Sequence, residues 1–83
     1  MMVVKVIPSD IANGRPRNSR WNPICFAVRR ALFDGEIEVE VQKKFVIVDG
    51  FGKAVLPQEA LDFNKRFNDG LPVKPFYCEL EFK

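Results

Sequence analysis

The residue types best suited to recognition are gathered in one stretch of the chain. Residues 13–32 contain five of the six arginines and the only tryptophan. Guanidinium groups pair with phosphates and carboxylates, and an exposed indole can stack on an unpaired base or anchor a protein interface. No acidic residue lies between Asp10 and Asp34, so the stretch is cationic although the chain carries a net charge of only +2. The side chains that we predict to bind a partner are Arg15, Arg17, Arg20, Trp21 and Arg29.

Residue types for catalysis and metal binding are scarce. Histidine is absent, which removes the commonest general base and the commonest metal ligand. Cys25 and Cys78 form no C-x-x-C pair, so we interpret both as buried thiols that pack like small apolar side chains. Only carboxylates remain, and glutamates that alternate along a strand normally form a solvated face. We therefore predict a protein that is not an enzyme and has no catalytic residues, no metal site and no cofactor.

The predicted binding residues lie in a loop and in the helix that follows it. Residues 15–21 have no hydrophobic period and contain proline, asparagine and serine, which predicts a surface loop. Asn22 followed by Pro23 is a typical helix start, and Asp34-Gly35 predicts the end of this helix. One face of the helix is predicted to be buried, because apolar residues recur at three- and four-residue spacing: Ile24, Ala27, Val28 and Ala31.

The remaining pattern predicts an α+β domain of residues 1–83. Predicted strands cover residues 2–7, 36–41, 44–49 and 76–82, with a short extra strand at 53–55. A single helical turn follows the first strand, and a second long helix runs from Leu56-Pro57 to Gly70. The simplest architecture is a four-stranded sheet with two helices on one face, the βαββαβ order of ferredoxin-like split βαβ folds. The alternative is a β-meander of residues 36–56 with the helices packed across it.

Several short motifs carry a resemblance to a known group of proteins. They are the Asp10-Ile11 turn, the Gly14-Arg15 loop, the helix Pro-Ile-x-x-Ala-Val-Arg-Arg-Ala-Leu at Pro23–Leu32, Leu56-Pro57, and the closing segment from Val73 to Leu80. With these motifs the chain resembles small uncharacterised proteins of tailed bacteriophages and prophages. Relatives often have a cysteine before the helix proline, where this chain has Asn22, so no role of that thiol carries over. The resemblance implies a phage protein without an established activity.

Two binding functions fit the cationic loop. The first is a binding module that modulates a host protein through the arginine-rich loop 15–22, because arginine and tryptophan are frequent interface anchors. The alternative is single-stranded nucleic-acid binding through the same loop. The predicted sheet opposes the alternative, since its outward side chains would repel phosphates: Glu36, Glu38, Glu40, Glu79 and Glu81. A third interpretation gives Trp21 a structural role, folded over the helix start as a hydrophobic staple.

Self-association and location complete the expectations. A homodimer could form by edge-to-edge pairing of residues 36–41 or 76–82, or by contact of the basic loop with the acidic sheet of a second copy. The longest apolar runs are too short to span a bilayer, which predicts no membrane association. We expect a protein of the host-cell cytoplasm.

Overall fold

Five strands and three helices make up the chain. A computed structural model describes all of residues 1–83. The strands are β1 (Met2–Val6), β2 (Val39–Val41), β3 (Phe45–Val48), β4 (Gly52–Val55) and β5 (Phe76–Leu80). The helices are α1 (Pro8–Asn13), α2 (Pro23–Ala31) and α3 (Gln58–Asn68). The α+β class is therefore confirmed.

The strands form two antiparallel sheets. β1 pairs with β5, with Val4 opposite Cys78, and β2, β3 and β4 form a meander in which Val46 lies opposite both Val41 and Ala54. The meander agrees with the alternative arrangement predicted for residues 36–56. The single four-stranded βαββαβ sheet is not formed, because the meander pairs with itself and β5 returns to β1.

The two sheets meet at one point at the C-terminus. Lys53 and Lys83 exchange both backbone hydrogen bonds, with N···O distances of 3.2 and 3.0 Å. Gly52 allows this approach: it has a φ of 106°, and a Cβ atom there would lie 2.2 Å from the carbonyl oxygen of Lys83. Lys83, which follows β5, thus connects β5 to β4.

A common core lies between the sheets and the helices. The buried stripe of α2 contains Ile24, Ala27 and Val28, as predicted, and α2 packs against β1 and β2, which belong to different sheets. Helix α3 reaches β5 through the rings of Phe63 and Phe76, whose centroids are 4.7 Å apart. Helix α2 therefore holds the two sheets together, and it also carries one wall of the site described below.

A buried carboxylate joins the first strand to both N-terminal helices. Asp10 is 3% exposed and accepts the backbone N–H of Ile7 at 3.0 Å at the start of α1. It also accepts two hydrogen bonds from Arg30, at 3.0 and 2.6 Å, and the same guanidinium donates to the carbonyl of Lys5 at 2.7 Å. The hydrogen bond to Asp10 raises the pKa of Arg30 above its ordinary value. Arg30 is thus committed to the fold.

No helix of the structure combines the length and the apolar character needed to cross a membrane.

Candidate functional site

The arginine loop, residues 15–22, is closed by its own hydrogen bonds. The side-chain oxygen of Asn18 accepts the backbone N–H groups of Arg20 and Trp21 at 3.1 and 3.2 Å. The backbone N–H of Arg15 donates to the carbonyl of Trp21 at 2.7 Å, which brings the two ends of the loop together. Side-chain amides of asparagine commonly fix turns in this way. The loop therefore has a defined shape although it lies at the surface.

The arginine loop is also attached to the rest of the chain. The carbonyl of Ser19 accepts the backbone N–H of Val41 at 2.8 Å and the thiol of Cys25 at 3.3 Å. The backbone N–H of Arg17 donates to the side chain of Asn68 at 2.8 Å. The bond to Val41 occupies part of the outer edge of β2, whereas β5 pairs with β1 along one edge, and only Lys83, which follows β5, pairs with Lys53. The segment 36–41, predicted to pair with a second copy, is thus not a free edge along its whole length.

Helix α2 begins where the sequence predicted, through an amide pair. Asn22 accepts the backbone N–H of Ile24 at 2.9 Å, which is the bond expected of a helix cap. Its amide nitrogen donates to the side chain of Asn64 on α3. Both asparagines are buried. The pair fixes the end of the arginine loop against two helices.

Trp21 combines a structural contact with an exposed surface. Its ring meets Phe26 edge to face, with centroids 5.9 Å apart, and these residues hold the positions of a hydrophobic staple around the cap Asn22. The guanidinium of Arg15 lies 5.0 Å from the centre of the indole ring. Trp21 is nevertheless 48% exposed. The staple geometry therefore leaves about half of the residue available to another molecule.

The five predicted binding residues do not form one cluster. Arg20 lies 3.9 Å from Glu38, and both side chains are well exposed. The Nε of Arg29 donates to the carbonyl of Ile37 at 2.9 Å, which fixes the start of the segment leading to β2. Arg20, Trp21 and Arg29 line one cleft, whereas Arg15 and Arg17 lie outside it. The cationic stretch is thus divided between two surfaces.

The cleft lined by Arg20, Trp21 and Arg29 lies between α2, the segment 33–38, and the strands β2 and β3. It has a volume of about 880 Å³, and we name it the α2–β2 cleft. Its apolar side chains are Trp21, Phe26, Phe33, Ile37, Val39 and Ile47. Its acidic side chains are Asp34, Glu36, Glu38, Glu40 and Asp49. Its arginines are Arg20, Arg29 and Arg30. Carboxylates outnumber guanidinium groups around the cleft, although the loop beside it is basic.

Phe33 is the functional candidate that the sequence analysis missed. It is 97% exposed and has a φ of 56°, a left-handed conformation that bulky residues rarely adopt. The backbone N–H groups of Phe33 and Asp34 donate to the carbonyls of Arg30 and Arg29, at 3.1 and 3.0 Å. This is the Schellman pattern, in which the left-handed residue is usually glycine.

The predicted end of α2 at Asp34-Gly35 is therefore wrong in detail. The helix ends at Ala31, and Phe33 takes the conformation that Gly35 was expected to provide. Helix α3 ends in the same pattern with Gly70 at the equivalent position and a φ of 75°. A phenylalanine that pairs an unfavourable backbone conformation with an exposed ring is a reason to look for function. The sequence did not indicate the conformation of Phe33, because Ala31, Leu32 and Phe33 are consecutive apolar residues and are typical of a helix that continues.

The cysteines match the predicted buried thiols. Both are free and buried. Burial raises the pKa of the Cys25 thiol to about 11 and that of the Cys78 thiol to about 11 as well. Both side chains therefore stay protonated at neutral pH and are poor nucleophiles. No group of three or more side chains of the metal-binding types lies close enough together to hold an ion.

No protein-family model, no curated protein and no solved structure matches the chain.

Proposed function

We propose that this protein is a small binding module that acts on another protein, and that its contact surface consists of the arginine loop and the adjoining α2–β2 cleft. Trp21 lies at the boundary between the two and is half exposed. Half-exposed tryptophan and arginine are the side chains that most often anchor protein interfaces. On the phage resemblance, the partner is a protein of the bacterial host, bound in the host cytoplasm.

The observation that carries the proposal is Phe33. Its ring lines the cleft and is almost fully exposed, while its backbone pays for a left-handed conformation that glycine would take without strain. The ring makes too little contact within the chain to offset the free-energy cost of this backbone conformation. Contact of the ring with a partner explains why an aromatic side chain is exposed at this position in the cleft. The proposal includes no catalytic step, since the buried thiols are protonated and the cleft carboxylates are on an open, solvated rim.

Single-stranded nucleic acid is the second candidate, and Arg15 and Arg17 favour it. Both lie outside the acidic cleft, and the guanidinium of Arg15 is stacked against the exposed indole of Trp21. A base and a phosphate could be bound by such a group. Five carboxylates line the cleft on the other side of Trp21, and these would repel a phosphate chain that extended into it. We therefore rank this candidate second.

Capture from bacterial lysate, with and without nuclease, tests the proposal. The immobilised wild-type chain is expected to retain a protein that survives nuclease treatment. Phe33→Ala is expected to lose it, and Phe51→Ala is the matched control, because Phe51 is also an exposed phenylalanine, at 51%, but lies outside the cleft. Loss of the captured protein after nuclease treatment would favour nucleic acid. Equal capture by both variants would remove the cleft from the proposal.

The loop arginines provide a second arm of the same experiment. The triple change of Arg15, Arg17 and Arg20 to alanine is expected to abolish capture. Its melting temperature is expected to change little, because the three side chains make one cation–π contact and one exposed ion pair, each worth about 0.5–1 kcal/mol or less. A large loss of stability would instead assign these arginines to the fold.

A further inference from the structure

The α2–β2 cleft is mainly acidic, whereas the arginine loop, which was predicted to bind a partner, is basic. Five carboxylates line the cleft against three guanidinium groups. Arg30 is already paired with Asp10, and Arg29 is hydrogen-bonded to the carbonyl of Ile37. Only Arg20 is both well exposed and near a cleft carboxylate. The exposed charge that an occupant of the cleft would meet is therefore mainly negative.

Most of these carboxylates have no cationic partner within the chain. The structure has two ion pairs in all, and only the long contact of Arg20 with Glu38 involves a carboxylate of the cleft. Glu36 and Asp49 are exposed and make no ion pair. An exposed contact of 3.9 Å between two mobile side chains is weak. The rim can therefore accept cations from another molecule without first breaking a strong pair.

The walls of the cleft are apolar and aromatic. Val39 is buried, whereas Ile37 and Ile47 are partly accessible, and the rings of Trp21 and Phe33 stand exposed beside them. Apolar clefts bordered by a few polar groups are typical of sites that take one large side chain of a partner. An occupant that fits this cleft therefore needs an apolar anchor as well as positive charge.

We propose that the α2–β2 cleft binds a short segment of the partner protein that carries lysine or arginine beside a large apolar side chain. This rests on the proposed function, since it names the part of the partner that is recognised. The apolar side chain lies between Trp21 and Phe33, and the basic side chains pair with the carboxylates on the rim. Acidic segments and nucleic acid are excluded from the cleft by the same carboxylates.

Selection from a displayed random-peptide library tests the inference. The wild-type chain is the bait, and peptides that also bind Phe33→Ala are removed beforehand. The recovered peptides are expected to be enriched in lysine or arginine next to leucine, phenylalanine or methionine. Recovery of acidic peptides, or no enrichment, would overturn the inference while leaving the capture experiment to decide whether the chain binds proteins at all.

A recovered peptide without tryptophan then allows a titration that reports on the cleft itself. Trp21 is the only tryptophan, so its emission is expected to shift to shorter wavelength as the peptide covers it. The double change Glu36→Gln and Glu38→Gln is expected to weaken binding about three- to tenfold. Glu79→Gln with Glu81→Gln removes the same charge outside the cleft and is expected to leave binding unchanged. Equal weakening by both pairs would mean that only net charge matters, and the inference would fail.

Discussion

Replacing Phe33 by glycine is expected to stabilise the fold and to remove an aromatic ring from the α2–β2 cleft. The residue has a φ of 56°, and the ring is 97% exposed, so its removal uncovers almost no core. Holding an L-residue in the left-handed region costs about 1–2 kcal/mol. Glycine relieves this cost but gives up about 0.5–1 kcal/mol, because it gains freedom in the unfolded chain. The middle values of these two ranges give an expected net gain of about 0.5–1 kcal/mol.

The same chain contains the control for this prediction. Gly70 ends α3 in the same hydrogen-bonding pattern, with a φ of 75° and open space where a Cβ atom would lie. Gly70→Ala is therefore expected to lose about 1 kcal/mol, since it introduces the strain that Phe33→Gly removes. Phe33→Ala keeps most of the backbone strain and deletes the ring, so its stability is expected to stay within about 0.5 kcal/mol of wild type.

Urea denaturation followed by circular dichroism measures these differences. For a domain of this size about 1 kcal/mol corresponds to roughly 4–8 °C in melting temperature, so Phe33→Gly is expected to melt about 2–8 °C higher. The unfolding slope should be unchanged, because the surface exposed on unfolding is nearly the same. If Phe33→Gly and Phe33→Ala both destabilise the protein by more than about 1 kcal/mol, the ring packs within the chain and the strain argument is refuted.

Three further predictions concern the groups that hold the site in place. Asn22→Ala is expected to cost about 2–3 kcal/mol in urea denaturation, because it removes a helix cap and leaves Asn64 buried without its partner; Asn22→Asp, which keeps the cap, should cost less. Asp10→Asn is expected to cost about 1–2 kcal/mol, and a double-mutant cycle with Arg30→Gln should be non-additive. Burial raises the pKa of both Cys25 and Cys78 from 9.0 to about 11, so their contribution to the free energy of unfolding is complete below about pH 9.0 and should decline as the pH rises towards about 11. Cys25→Ala should make this decline smaller and leave the part that comes from Cys78.

The parts of the site that depend on neighbouring residues were predicted from the sequence. Asn22 and Pro23 define the start of α2 because a cap and a proline act on the backbone next to them. The buried stripe of α2 and the exposed loop follow from periodicity for the same reason. The end of α2 was harder to predict from the sequence, since the left-handed conformation of Phe33 goes with the hydrogen bonds of the last turn and not with its residue type.

The parts that depend on distant pairing could not be predicted. Nothing near Lys83 indicates that its backbone pairs with that of Lys53, which is the backbone contact between the two sheets. The hydrogen-bond partner of each arginine also depends on the fold. Arg30 donates to Asp10, whereas Arg29 donates to the carbonyl of Ile37. A cationic stretch in the sequence thus became a basic loop beside an acidic cleft.

Capture with Phe33→Gly is the most direct measurement of whether the α2–β2 cleft is a binding surface, because this variant separates folding from recognition. Nuclease-treated lysate is passed over equal amounts of wild-type and Phe33→Gly protein, and the retained partner is quantified. We predict that the variant melts higher than wild type and yet retains at least about tenfold less partner, the loss expected for an aromatic anchor worth about 1.4 kcal/mol or more. Undiminished retention by the more stable variant would contradict the role assigned to Phe33 and to the cleft.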